Sequence, residues 1–354
     1  MATHPQQQLD LARQQWLAGL ARQHQADGTW ASALALAQGH YLCGDYAAAL
    51  DHFIAARDLG RDRAETHLAL VRMASGTGRP ELEQQALAEA LRWFPDSAPL
   101  ALHAALHDVP HALSKARERL APFPQDAACN EFTQALDALL QDRPIPAGPD
   151  LDPAARARRT GMRWVQQHAA SPQVFCGMPV DVLMRALRSA RSSGLTLECG
   201  VYFGRSLRLI AQATQGEVHG FDSFQGLPEA WSDREGAGAY STAGRLPEVT
   251  DSTRLHPGWF QDTLPPFLRE HPGPVRLLHI DCDLYSSTKT VLECMDDRLV
   301  PGSMVVFDDL LGYPGYEQHE LKAFEEFASE QSLGWEIVAA ALLGREVAVR
   351  ITSR

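Results

Sequence analysis

The chain has 354 residues, with 44 Asp and Glu against 32 Lys and Arg and a formal net charge of -12. That length suits two or three domains, each able to bury its own core. The acidic balance, with no basic patch to offset it, excludes a protein built to attract nucleic acid or an anionic membrane. Arg117, Arg119, Arg156, Arg158 and Arg159 form a mild local excess near the junction of the two halves and read as a solvated helix face. Cysteines at 43, 129, 176, 199, 282 and 294 show no C-x-x-C spacing, so neither a zinc site nor a redox motif is signalled. The start, Met1 to Gln6, has no basic region followed by an apolar core, and no run reaches the length of a membrane span. A cytoplasmic home is the default expectation.

Residues 1–142 are rich in Ala, Leu, Gln and Arg at helical spacing. Gly44 recurs as Gly78 and Ala56 as Ala90, each 34 residues on. Gly44, Tyr46, Ala49, Phe53 and Ala56 follow the small/large pattern of a helix-turn-helix pair. Gly78, Leu87, Ala90 and Pro95 fill matching slots, but Glu83 stands where Ala49 predicts a small residue. This region resembles the tetratricopeptide repeat. A shorter, degenerate unit ends near Pro122-Phe123-Pro124. Each repeat must bury its face on a neighbour. So short an array is therefore expected to pack on the second half or on another subunit, and a homo-oligomer is expected.

Residues 143–153, with four prolines and a glycine, read as a linker. Residues 154–354 change rhythm. Short apolar runs at Leu195–Cys199, Glu217–Phe221, Val275–Ile280, Met304–Phe307 and Glu336–Ala341 alternate with helical segments, which argues for an α/β domain with a parallel sheet. The last run and Glu346–Ile351 read as a terminal antiparallel hairpin.

Leu195 to Ser206 runs from strand through a glycine turn to helix. Gly200 permits a tight turn and close approach of a ligand. Gly204 and Ser206 lie where the next helix begins, with free N–H groups. The pattern E-x-G-x-x-x-G differs from the G-x-G-x-x-G of a dinucleotide fold. Glu198 before the loop suits a cationic or amine-bearing ligand. Asp222 follows Gly200 by 22 residues and ends the next strand, where an acid can hold ribose hydroxyls. Together these features favour an adenosine-type ligand. The competing reading makes the loop structural and Asp222 a helix cap.

The segment Trp231 to Val249 is polar and glycine-rich, and reads either as a lid over a substrate or as a surface loop. Two acidic clusters follow: His279-Ile280-Asp281-Cys282-Asp283 and Phe307-Asp308-Asp309. Each closes an apolar run of the kind that forms a buried parallel strand. Ligands of open α/β sheets sit beyond the carboxyl ends of the strands, so four carboxylates meet in one cleft. Unpaired, they repel and raise one another's pKa values. A hard divalent cation resolves that repulsion, and oxygen-only ligands suit magnesium, manganese or calcium. The alternative makes one or two of these Asp residues helix caps. His279, inside its strand, reads as a buried, hydrogen-bonded histidine, with a part in proton transfer as the alternative. Gly312 to Tyr316 either lines an acceptor pocket or packs as an aromatic turn.

Five ordered segments carry a resemblance. They are Leu197 to Ser206, Gly220-Phe-Asp222-Ser223-Phe-Gln-Gly-Leu-Pro228, Gly258-Trp-Phe-Gln-Asp262-Thr-Leu-Pro265, His279 to Thr288, and Val306 to Asp309. On these the second half resembles class I S-adenosylmethionine-dependent methyltransferases, and more narrowly the macrocin O-methyltransferase family. The helical half lies outside the resemblance. It implies a Rossmann-like sheet, mostly parallel with an antiparallel terminal hairpin. It implies that Gly200 and Gly204, with Ser206, wrap the methionine part of S-adenosylmethionine, with Glu198 near its amino group. Asp222 would hold the ribose with Ser223 beside it, and Asp262 would lie near the adenine or the amine. Asp281, Asp308 and Asp309 would hold magnesium, with Asp283 as general base or sharing that role with Asp281.

The expected activity is metal-dependent O-methylation of a sugar or natural-product hydroxyl. Alternatives are a methyltransferase acting on a peptide or carrier-bound substrate recruited by the repeats, and a repeat scaffold with a vestigial catalytic half. A nicotinamide oxidoreductase is disfavoured by the glycine spacing and the acidic set.

Overall fold

The computed structural model describes residues 5–147 and 152–354. Eight helices come first: α1 (Pro5–Asp27), α2 (Trp30–Leu42), α3 (Tyr46–Leu59), α4 (Ala64–Gly76), α5 (Pro80–Trp93), α6 (Ala98–Asp108), α7 (Leu113–Leu120) and α8 (Ala127–Leu140). The starts of α2, α4 and α6, at 30, 64 and 98, repeat every 34 residues. Local chemistry sets several of these ends. The Asp45 side chain accepts from the Ala48 N–H at the start of α3, and Gly44 turns the chain with φ +76°. Small residues fill the helix contacts, with Ala37, Ala49, Ala56 and Ala90 almost fully buried.

Of the linker predicted over 143–153, residues 148–151 lie outside the described part. Ile145 beside it is buried, and its N–H donates to Gln166 Oε1 of the next helix, α9 (Pro153–His168). The expected solvated arginine face is found only in part: Arg156 is exposed, whereas Arg158 and Arg159 are engaged with α8. Arg159 is 2% exposed and donates to the Glu131 carbonyl and Gln134, while Arg158 makes a two-pronged bond to the Glu131 carboxylate. These arginines join α9 to α8 because their long stems cover apolar surface while the guanidinium finds fixed acceptors.

The remaining elements are β1 (Phe175–Cys176), α10 (Pro179–Ser189), β2 (Leu195–Cys199), α11 (Arg205–Ala213), β3 (Val218–Asp222), β4 (Thr253–Pro257), α12 (Phe260–Glu270), β5 (Val275–Ile280), α13 (Tyr285–Cys294), β6 (Met304–Phe307), α14 (Glu320–Glu330), β7 (Gly334–Ala341) and β8 (Val347–Ser353). They build one sheet in the order β1-β7-β8-β6-β5-β2-β3-β4. All pairings are parallel except those of β8 with β6 and β7. The central strands β2, β5 and β6 are buried almost throughout, as mostly apolar strands of a parallel sheet are. From β2 the chain winds outward to β3 and β4, then returns to the other side of β2 as β5. That reversal opens a crevice at the strands' carboxyl ends.

The helical half packs on this domain. A methyl group added at Gly44 would lie 2.4 Å from the Phe203 ring, and one at Gly78 would lie 2.3 Å from Leu209. Gly177, just before α10, approaches the backbone of α6 so closely that a Cβ would sit 1.7 Å from the Leu106 carbonyl oxygen. The connection between β3 and β4 contains neither helix nor strand, yet it is tied down. Leu227 N–H donates to the Ala239 carbonyl, Gly238 N–H donates to the Leu227 carbonyl, and Ser241 and Thr242 are buried.

Candidate active site

Backbone pairing runs past the strand ends and fixes the loops that follow. Asp281 N–H donates to Cys199 O, Asp308 N–H to Ile280 O, and Gly200 N–H to Phe221 O, at 2.8, 2.9 and 2.9 Å. Gly200 has φ +93°, and a Cβ there would lie 1.7 Å from the Asp281 carbonyl oxygen. Only glycine fits at this crossing of β2 and β5.

A cavity of about 650 Å³ opens here, within the ~300–1,000 Å³ typical of small-molecule sites. Gly200, Ser206, Asp222, Ser223, Asp281, Asp283, Asp308 and Asp309 all line it. Gly204 begins α11 with φ +72°, beside the cavity wall. Two residues singled out from the sequence stand elsewhere. Asp262 is exposed, while its neighbours Trp259, Phe260 and Gln261 line the cavity. Glu198 is fully buried behind the wall, where its Oε1 meets His279 Nδ1 at 2.9 Å and its Oε2 makes no hydrogen bond of ordinary geometry among the described residues.

Asp222 is already engaged. Its Oδ2 accepts from the N–H groups of Val201 and Tyr202, both at 2.8 Å, and its Oδ1 from Phe224 N–H at 2.6 Å. The carboxylate therefore staples the glycine loop to the end of β3. An Oδ1 with one donor keeps one lone pair for a ligand hydroxyl.

The acidic cluster has the electrostatics of an unmet charge. Oxygens of Asp281, Asp308 and Asp309 lie within 4.8 Å of one another. Burial, then the Asp308 charge, push the Asp281 carboxyl well above its usual range, and the same two causes raise Asp309. Asp283, at φ +62°, is raised by burial and by Asp309. Burial opposes the Asp308 charge as well, but His279 and the guanidinium groups of Arg205 and Arg345 hold its carboxyl down. Buried Glu320 and half-buried Glu346 add to the crowd, Glu346 being pushed up to about 8 by desolvation and Asp308. His279 lies between Glu198 and Asp308. Burial disfavours its charge, yet these two carboxylates raise its pKa well above the ordinary value. Arg345 Nη1 bonds Asp309 Oδ1 at 2.6 Å. Carboxylates still outnumber cations, a balance that a divalent ion among the three Asp side chains would correct.

Residues 197–310 match the family described as "Methyltransferase domain". The second half is a class I S-adenosylmethionine-dependent methyltransferase domain. The methyltransferase domain has relatives among enzymes acting in natural-product biosynthesis. An 8-demethyl-8-(2,3-dimethoxy-alpha-L-rhamnosyl)-tetracenomycin-C 4'-O-methyltransferase of Streptomyces olivaceus is 29% identical, across 49% of this chain and 73% of that one. The mycinamicin III 3''-O-methyltransferase of Micromonospora griseorubida is also 29% identical, across 40% of this chain and 60% of its own. Among solved structures, the calicheamicin methyltransferase CalS11 matches 64% of this chain and 93% of its own at 24% identity and TM-score 0.39.

The methyltransferase domain does not build its cavity alone. Tyr41, Leu42 and Tyr46, around the α2–α3 turn, form part of the wall. Arg245 donates to the Cys43 carbonyl and lies over the Phe203 ring, and Tyr202 hydroxyl reaches Leu42 O at 3.5 Å. Trp231 and Tyr240 of the β3–β4 connection line the cavity too, whereas Tyr313 packs behind them against Trp231 and Arg345. Sequence reasoning passed over the wall residues Arg205 and Arg345. Arg205 stood in view between Gly204 and Ser206, but contacts across two halves of a chain carry no local signal.

Proposed function

We propose that the protein transfers a methyl group from S-adenosylmethionine to a hydroxyl on the sugar of a natural product, with a divalent cation at Asp281, Asp308 and Asp309. The observation that carries this reading is the convergence of those three carboxylates at the rim of a methyltransferase cavity. The sugar is suggested by the tetracenomycin relative, an O-methyltransferase whose name carries a rhamnosyl group.

The donor set fits a hard ion: it is all oxygen, charge-deficient in cations, and compact enough for ligands at ~2.0–2.6 Å. Magnesium, manganese or calcium there would lower the pKa of a ligating hydroxyl and fix its direction. The cofactor's sulfonium supplies a methyl group that needs only an in-line oxygen. The chain's own residues do the rest. Asp283 faces the cavity beside the cluster and accepts the hydroxyl proton as general base, with Asp281 orienting the same oxygen. Gly200, Gly204 and the first N–H groups of α11 receive the methionine end, and the free lone pair on Asp222 takes a ribose hydroxyl beside Ser223. Glu198 acts from behind, holding His279 against Asp308. Tyr41, Leu42 and Tyr46 make the helical half a wall of the acceptor side, so recruitment of a peptide is not required to give that half a purpose.

The test is transfer of labelled methyl from S-adenosylmethionine to a panel of glycosylated aglycones, with magnesium and with chelator. Asp281→Ala and Asp308→Ala should abolish metal-dependent turnover while leaving calorimetric binding of the cofactor within a few-fold of wild type. Turnover that survives complete metal removal would refute the cation. Folded protein that binds no S-adenosylmethionine would refute the whole reading.

A further inference from the structure

A second convergence of ligand-type side chains lies in the helical half. Glu83 on α5 faces His103 and His107 on α6. Spacing of four residues puts both imidazoles on one face of α6. His103 Nε2 lies 3.0 Å from Glu83 Oε1, and His107 Nε2 lies 2.6 Å from the same oxygen. Glu83 and His103 are each 4% exposed, so the cluster is set into the core and not onto a surface. His107 keeps 30% of its side chain open, which leaves a way in from solvent.

The repeat makes this cluster conspicuous. One period of 34 residues earlier, the positions of Glu83, His103 and His107 hold Ala49, Ala69 and Met73. Ala49 and Met73 are buried and pack the first unit in the ordinary apolar way. In the second unit three apolar slots have become two imidazoles and a carboxylate, and all three meet at one point. Burying three polar groups where alanine and methionine serve elsewhere costs stability unless something is gained by their meeting.

We propose that Glu83, His103 and His107 bind a divalent transition-metal ion of the zinc class. Two imidazole nitrogens and one carboxylate oxygen are a donor set suited to zinc, with a fourth position left for water or another side chain. The Asp281, Asp308 and Asp309 set, all oxygen, prefers harder ions. The two sites therefore sort metals by chemistry. The location gives the ion its work. Leu106, between the two histidines, is the residue whose carbonyl presses on Gly177. Asp181, in the first turn of α10, is close enough for its charge to act on His107. An ion at this point pins α5 to α6 at the seam where the helical array meets the methyltransferase domain.

Without metal, the same atoms form a hydrogen-bonded triad in which one carboxylate oxygen accepts from two Nε2–H groups. Hydrogen bonds from the two histidines hold the Glu83 carboxyl at about 2 against the opposing effect of burial. The two states are separable by experiment. Full-length protein, stripped with chelator, is titrated with cobalt(II) and then zinc, with metal content measured after dialysis. The expected result is one equivalent of cobalt with the visible ligand-field absorption of a low-coordinate nitrogen/oxygen site, displaced by zinc. Asp308→Asn should keep that absorption. His107→Ala and Glu83→Gln should lose it, with binding weakened by at least about a hundredfold. Circular dichroism checks that each variant is folded. Should Glu83→Gln fail to fold, His107→Ala decides, since its side chain is the more exposed. Folded wild-type protein that retains no cobalt or zinc, or absorption unchanged in His107→Ala, overturns the proposal and leaves the hydrogen-bonded triad.

Discussion

Asp222 offers the sharpest test of how the cofactor loop is held. Substitution to Asn keeps one oxygen and puts an amide donor where the other stood. Asp222 now accepts three backbone N–H groups, from Val201, Tyr202 and Phe224. Losing one charge-assisted bond costs about 1.5–3 kcal/mol. Reducing the other two to neutral strength costs about 0.5–1 kcal/mol each. The residue is only half-buried, so water repairs part of this, and the loop should weaken by about 2–3 kcal/mol. At 1.4 kcal/mol per factor of ten, affinity for S-adenosylmethionine should fall about 30- to 150-fold. The assay is calorimetric titration of wild type and Asp222→Asn with S-adenosylhomocysteine and its 2'-deoxy and 3'-deoxy analogues, alongside urea unfolding. A carboxylate that only staples the loop loses affinity equally for all three. One that also holds a ribose hydroxyl loses more for the parent than for one deoxy analogue. A folded variant that binds the parent within threefold of wild type would refute both roles.

Gly200→Ala should be worse for the fold than for any single contact: the left-handed backbone costs about 1–2 kcal/mol, and a Cβ 1.7 Å from the Asp281 carbonyl adds overpacking of about 1–3 kcal/mol. A loss of about 2–5 kcal/mol in urea unfolding is expected, and wild-type stability would show that the crossing of β2 and β5 is looser than drawn. His219 is buried, and its pKa is pushed down to about 4 by desolvation and by the neighbouring His256 and His271. A lowered histidine pKa means the unfolded chain binds the proton first, so this contribution is intact above about pH 6.5 and is lost as pH falls toward 4. His219→Phe should flatten the stability profile in that window by about 2 kcal/mol; an unchanged profile would assign the loss to other groups.

Much of this architecture was readable because buried parallel strands announce themselves. Leu195–Cys199, Val275–Ile280 and Met304–Phe307 are short, mostly apolar runs, and they are β2, β5 and β6 to the residue. β4 was invisible for the opposite reason. Thr253-Arg-Leu-His-Pro257 is a polar edge strand whose pairing on one side only demands no apolar pattern. β1, with two residues, is too short for any period to show. Within the site, the acidic residues were found as strand-end punctuation, but their partners were not. Glu198 and His279 were both noted, yet only the parallel register that sets them side by side reveals them as a pair. Asp262 shows the limit of motif reading: a residue inside a matching segment points wherever the first turn of its helix directs it. His103 and His107 carried a legible H-x-x-x-H spacing. The third member, Glu83, was visible only as a misfit in the repeat.

Four neighbouring strands, β6, β5, β2 and β3, each end at the cavity with a residue of the candidate site: Asp308, Asp281, Gly200 and Asp222. Side chains on a strand alternate faces, so a one-residue slip turns each of them away. The site therefore tolerates changes of chain length very unevenly. A deletion inside Val275–Ile280 or Met304–Phe307 removes a carboxylate from the cavity even though every acidic residue is still encoded. Insertions after Gly216 or after Gly273, where an added side chain would meet nothing within 4 Å, leave all four strand ends in place. Variation in length among descendants of this chain should collect in those loops, and a library built by random insertion would recover active clones there first.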